Sequence, residues 1–281
     1  MAIYRGFIVW GAGIVLVLGA FLIFVLAGWP GPENGCVDNT PNTCYCEAFN
    51  LHDVKTGAPG VRQPVNTWFN LYSIVTSLIV AVVVFADRNS GEGSSNLIRT
   101  ADSWVPDLYI FAVLFLGLGS MWFHGSLKGW GGVTDMLSMF VFAAFLVFYT
   151  IRRIWDSAAF FWIGYAVAVF VFTFVGAIWN WEYNSLILIL ILVAAYLVFE
   201  VMIWVRTGQV MQGQPSTIVL WILAVVSIIA ATIFWALSQT GGPLCDPKSF
   251  FQPHGLLWHP LAGVMAVLLY FYWRQDEGQT D

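Results

Sequence analysis

Five residues carry the chemistry that this sequence offers: Ser120, His124, Asp135, His254 and His259. Ser120 precedes His124 by four residues, which puts both on one face of a helix. Asp135 follows His124 by eleven residues, and the last two histidines stand five apart. Three imidazoles with an open fourth position form the ligand set of a catalytic zinc. Such a zinc lowers the pKa of its water to about 7 and makes hydroxide available. A carboxylate at Asp135 would take or relay a proton, and a hydroxyl at Ser120 would donate to a developing oxyanion.

The elements that must position these residues are membrane helices. The chain has 281 residues, 59% hydrophobic and only 10% charged, with mean hydropathy +0.77. Soluble domains carry roughly 25% charged residues, so an ordinary soluble fold is excluded. A net charge of −5 with 11 Lys plus Arg argues against a nucleic-acid partner, and 17% aromatic residues exclude disorder. Eight apolar runs are each long enough to span a bilayer: Gly6–Gly28, Val65–Ala86, Trp104–His124, Val133–Thr150, Ala158–Ile178, Ser185–Val205, Thr217–Leu237 and Pro253–Trp273. No alternating ten-residue pattern of a β-barrel occurs, so the expectation is an all-α polytopic bundle. The first run exceeds the ~7–15 residues of a signal-peptide core and is read as a retained helix. Gly125 to Gly132 reads as a tight turn between the third and fourth runs.

Eight spans put both termini on one side. That side holds Arg5, Arg88, Arg99, Arg152, Arg153, Arg206 and Arg274, against Lys55, Arg62, Lys128 and Lys248 on the other. The positive-inside rule then places both termini in the cytoplasm. Cys36, Cys44, Cys46 and Cys245 all fall on the non-cytoplasmic side, where disulfides form. Cys44 and Cys46 are too close in sequence to pair easily, so one of them is expected to bond Cys245 and the other Cys36.

The same topology brings Ser120, His124, Asp135, His254 and His259 to one depth, one or two turns below the non-cytoplasmic surface. A single membrane histidine often serves only as an interhelical hydrogen-bonding group, and Asp135 alone would suit a helix N-terminus. Three histidines and a carboxylate at one level favour a metal site. His52 lies in the outer loop. Asp107, beside Pro106, and Glu200, expected to pair with Arg206, are read as structural, and Trp179, Trp181 and Tyr183 as an interfacial belt. No span contains a lysine for a retinal Schiff base, and a transporter would place its polar groups at the midplane.

Gly117-Leu-Gly-Ser-Met-Trp-Phe-His124 followed by Asp135 resembles the alkaline ceramidases. These belong to a superfamily of seven-helix membrane hydrolases that includes progestin/adiponectin-type receptors and GPI-anchor lipid-remodelling proteins. Pro64-Val-Asn-Thr-Trp-Phe-Asn70 resembles the opening of the family's first core helix, and His254-Gly-Leu-Leu-Trp-His259 the histidine pair of its last. The resemblance implies residues 1–30 as an added N-terminal helix, 31–64 as an outer loop, 65–274 as a seven-helix core and 275–281 as a cytoplasmic tail. It implies zinc held by His124, His254 and His259, with Ser120 and Asp135 beside it, and a lipid substrate drawn from the bilayer. The expected reaction is hydrolysis of a ceramide-like amide to a fatty acid and a sphingoid base. Alternatives within the superfamily are hydrolysis of ester or GPI-like lipids, or a membrane sensor. The family's disulfide matches Cys46 and Cys245.

Three features depart from the family pattern. The family's last histidines stand four apart; a spacing of five separates them by about 140° on a regular α-helix. Pro260 follows at once, and a kink or π-bulge there would absorb the extra residue. Of the family's calcium ligands only Glu47 is matched, with Gln63 in place of a Glu and Cys44 in place of an Asp, so calcium is not expected. Met136 stands where an acidic residue often follows the family's aspartate.

Overall fold

A computed structural model describes residues 2–34, 45–90, 96–99, 104–178, 181–207 and 215–275. Cys36, Cys44, Trp179 and residues 276–281 of the tail lie outside the described residues, as do the side chains of Trp181 and Tyr183. Among the described residues the fold is all-helical, with eight helices long and apolar enough to cross a membrane. The protein is thus an integral, multi-pass membrane protein by the length and composition of its helices.

The elements in chain order are α1 (Ala2–Ala27), α2 (Leu51–Thr56), α3 (Pro64–Phe69), α4 (Tyr72–Ser90), α5 (Val105–Ser126), α6 (Gly129–Ile154), α7 (Ala158–Ile178), α8 (Trp181–Thr207) and α9 (Pro215–Leu237). A π-helical turn (His254–Trp258) then runs directly into α10 (His259–Arg274). The buried centre is built mainly by α4, α5, α6 and α10, where Tyr109, Phe140, Phe145, Tyr270 and Trp273 are fully enclosed. By contrast α1, α7 and α9 keep most of their side chains on the outside, as helices facing lipid do.

Two local readings of the sequence are corrected. The expected turn from Gly125 to Gly132 shrinks to Leu127 and Lys128, because Gly129 to Gly132 are helical. Gly131 serves close packing instead: a side chain there would meet Ser126 Oγ at 2.7 Å and the Phe123 backbone at 3.1 Å. Gly117 and Gly119 do the same for α5, against Ser73 and Ser138 respectively. The second correction concerns Glu200. It is fully buried and pairs with Arg153 across the bundle at 2.8 Å, not with Arg206. Thr150 and Tyr272 also donate to it. Burying a carboxylate requires a full set of donors, and α6 and α10 supply them where Arg206, at the exposed end of α8, does not. Asp107 sits in the first turn of α5, as read, and additionally pairs with Arg88.

One disulfide is described, Cys46–Cys245, which ties the segment before α2 to the loop before the π turn, 199 residues away. An isolated bridge between Tyr45 and Gln239 reinforces the same junction.

Candidate metal centre

The three histidines come from the ends of two helices. His124 lies in the last turn of α5, His254 opens the π turn and His259 opens α10. The π turn answers the spacing problem. The backbone N–H of His259 bonds to the His254 carbonyl, an i→i+5 step that winds five residues into one turn. Pro260 provides the physical reason. It has no N–H to give to Leu256, and its ring would clash with that carbonyl in a tight α-turn. Gly255 completes the arrangement, because any side chain there would press on Asn66 at 2.9 Å.

The rings converge. A nitrogen from each lies within 4.8 Å of the others, and the three residues are at most 3% exposed. His124 Nε2 and His254 Nε2 are 3.2 Å apart. Two imidazole ligands on a tetrahedral zinc, with Zn–N near 2.0–2.1 Å, would stand about 3.3 Å apart. The His124 tautomer follows from its neighbour. Gln63 directs its amide nitrogen to the carbonyls of Tyr45 and Glu47, at 3.3 and 3.1 Å, so its Oε1 faces His124 Nδ1 at 2.7 Å. Nδ1 therefore carries the proton, and Nε2 presents a lone pair toward His254. His254 Nδ1 has no hydrogen-bond partner among the described residues although it is buried. The residues present thus fit a zinc held by His124, His254 and His259.

Ser120 lies one turn before His124 on α5, and Asp135, on α6, is not among the groups that converge with the histidines. Both are buried, and the Ser120 hydroxyl bonds to the Asp135 carboxylate. Tyr72, in the first turn of α4, stacks its ring on His259 with centroids 6.1 Å apart. Of these three side chains, the Tyr72 phenol is the one in direct contact with a histidine.

Four residues to which the sequence assigned no role at the histidines support them. Gln63 orients His124. Asn70 places its amide nitrogen 3.2 Å from His259 Nε2 and also donates to the Asn66 carbonyl at 2.8 Å. Tyr45 stacks on His254, with centroids 3.9 Å apart, and contacts the edge of His124 at 4.7 Å. Tyr72 covers His259. Asn66 and Asn70 belong to the segment that opens the core, so polar residues inside an apolar run were the available signal for those two. Nothing local distinguished Tyr45.

Glu47, the one matched calcium ligand, spends both carboxylate oxygens on the backbone N–H groups of Val65 and Asn66, at 2.7 and 2.8 Å. It thereby caps α3. Lys128, at the end of the bundle that holds the histidines, is 1% exposed and donates to the Val54 carbonyl at 2.7 Å; burial lowers its pKa.

No family model matches the sequence, and no curated protein matches it.

Proposed function

We propose that this protein is a zinc-dependent intramembrane hydrolase of lipid amides, of the kind that the resemblance to alkaline ceramidases implies. The observation that carries the reading is the convergence of His124, His254 and His259, made possible by a π turn at the one place where the sequence spacing is irregular. A bound zinc would supply a water ionising near pH 7. The rest of the chemistry belongs to the chain. Gln63 holds His124 in the tautomer that leaves Nε2 free, and the Tyr45 and Tyr72 rings hold the other two imidazole planes. In this reading Asp135 would accept a proton from the attacking water and return it to the departing amine. In the same reading Ser120 would donate to the carbonyl oxygen as charge develops there. The balanced reaction is amide plus water giving a fatty acid and a long-chain amine.

The Cys46–Cys245 disulfide lies at the same end of the bundle as the histidines. Disulfides belong to oxidising compartments, which supports a site on the non-cytoplasmic side and termini in the cytoplasm. The experiment is hydrolysis of detergent-solubilised ceramide by purified protein, with and without a chelator, beside a panel of ester and GPI-like lipids. Chelator-sensitive release of fatty acid from ceramide is expected. Cleavage of ester lipids alone would replace the substrate, and full activity in His124→Ala would overturn the mechanism.

A further inference from the structure

We infer that α1 is a working part of the histidine centre, with Phe21 and Trp29 acting as positioning residues for His124. Most of α1 faces outward, with Val9 72% and Leu16 73% exposed. Phe21 on α1 and Trp29 just after it are almost fully enclosed, at 1% and 2%, and Ile14 is buried at 8%. The Phe21 ring fills the notch left by Gly125, the residue after His124, and lies 2.7 Å from where a Cβ would stand. Around it Trp29, Trp122 and Trp68 close edge-on, with centroids 5.3 to 5.9 Å away.

The segment that follows α1 binds both loops that hold His124. On one side Trp29 donates its indole N–H to the Gly60 carbonyl at 2.7 Å and its backbone N–H to Gly57 at 2.8 Å, while Gly60 donates back to Val25 at 2.7 Å. Gly28 permits this approach, with φ +102° and a Gly57 oxygen 2.4 Å from any Cβ it would carry. On the other side Asn34 donates to the Leu127 carbonyl at 2.9 Å, Gly129 to Pro32 at 3.1 Å, and the Trp130 indole to Pro30 at 2.9 Å. Leu127 has φ +52°, a left-handed conformation that costs a side-chain-bearing residue energy and persists only where its surroundings enforce it. The two clamped loops then meet at the ligand. Arg62 donates to the Gly125 carbonyl at 3.0 Å, Gln63 to the His124 carbonyl at 3.1 Å, and Gln63 Oε1 holds His124 Nδ1. Phe21 packs on the residue after His124, and the bonds from residues 25–34 hold the two loops that meet there. Groups that orient a metal ligand typically change metal affinity 10–100-fold when lost.

This inference rests on the three-histidine reading, and its test separates the two. Full-length protein in detergent is loaded with Co2+, whose visible spectrum reports ligand geometry, and its affinity is measured by competition. Phe21→Ala is expected to bind Co2+ at least about tenfold more weakly than the natural chain, with a changed spectrum. Phe21→Leu should recover part of the loss, and the lipid-facing Leu16→Ala should match the natural chain. If Phe21→Ala does not fold, Trp29→Phe, which keeps a ring but loses the bond to Gly60, takes its place with the same direction of change. Natural affinity and spectrum in the folded Phe21 or Trp29 variant would overturn the role of α1. Failure of the natural chain to bind Co2+ would overturn the histidine centre itself, and this inference with it.

Discussion

His124 donates its Nδ1 proton to Gln63 Oε1 at 2.7 Å, and the Gln63 backbone N–H donates to the His124 carbonyl at 3.1 Å. Side chain and backbone of one residue thus fix both the tautomer and the position of the other. Gln63→Leu keeps the bulk and removes the acceptor. Metal affinity should fall by about 10–100-fold, measured by competition with a chelator, while thermal stability changes less than in His124→Ala.

The π turn depends on close contact between Gly255 and Asn66. Gly255→Ala would place a methyl group 2.9 Å from Asn66 Oδ1 and 3.1 Å from the backbone of α3. Overpacking of this kind typically costs 1–3 kcal/mol. The variant should unfold at lower denaturant concentration and bind metal more weakly, because the turn that aligns His254 with His259 must shift. Unchanged stability and affinity would show that the turn has slack.

At the other end of the bundle, Arg153 and Glu200 form a buried pair joined by Thr150 and Tyr272. Arg153→Met strands the carboxylate, which is expected to cost about 3–5 kcal/mol. The double variant Arg153→Met/Glu200→Gln should regain most of that loss. Metal content should be the same in both, since the pair lies far along α6 and α10 from the histidines.

Glu47 gives a pH dependence whose sign is fixed. Burial raises its carboxyl above the ordinary value of 4.5, outweighing the two backbone N–H groups that favour the ionised form. The folded state then holds the proton more tightly than the unfolded one. The contribution is complete below pH 4.5 and is lost as the pH rises through the raised value. Stability should therefore decline over that window in the natural protein, and the Glu47→Gln variant should lose that slope.

Much of the architecture was legible because membrane spans announce themselves by length. Eight apolar runs correspond to eight long helices, with several ends shifted by about four residues, among them the start of α6 at Gly129. Gly129 to Gly132 looks like a turn in sequence but packs as a helix, since closeness to α5 is a property of the partner. The histidines were legible because ionisable residues inside spans are rare. Their supports were not: Tyr45 and Gln63 lie in an ordinary polar loop and gain meaning only when the Cys46–Cys245 disulfide and α3 carry them to the histidines. Glu200 was matched with Arg206, six residues along its own helix, while its partner Arg153 comes from α6.

The claim most open to direct test is that both His254 and His259, five residues apart, hold one metal. Metal analysis of purified natural protein and of His259→Ala measures it. One zinc per chain, lost in the variant while helical content is kept, is the predicted result. Zinc retained in full by His259→Ala, or none in the natural protein, would contradict it.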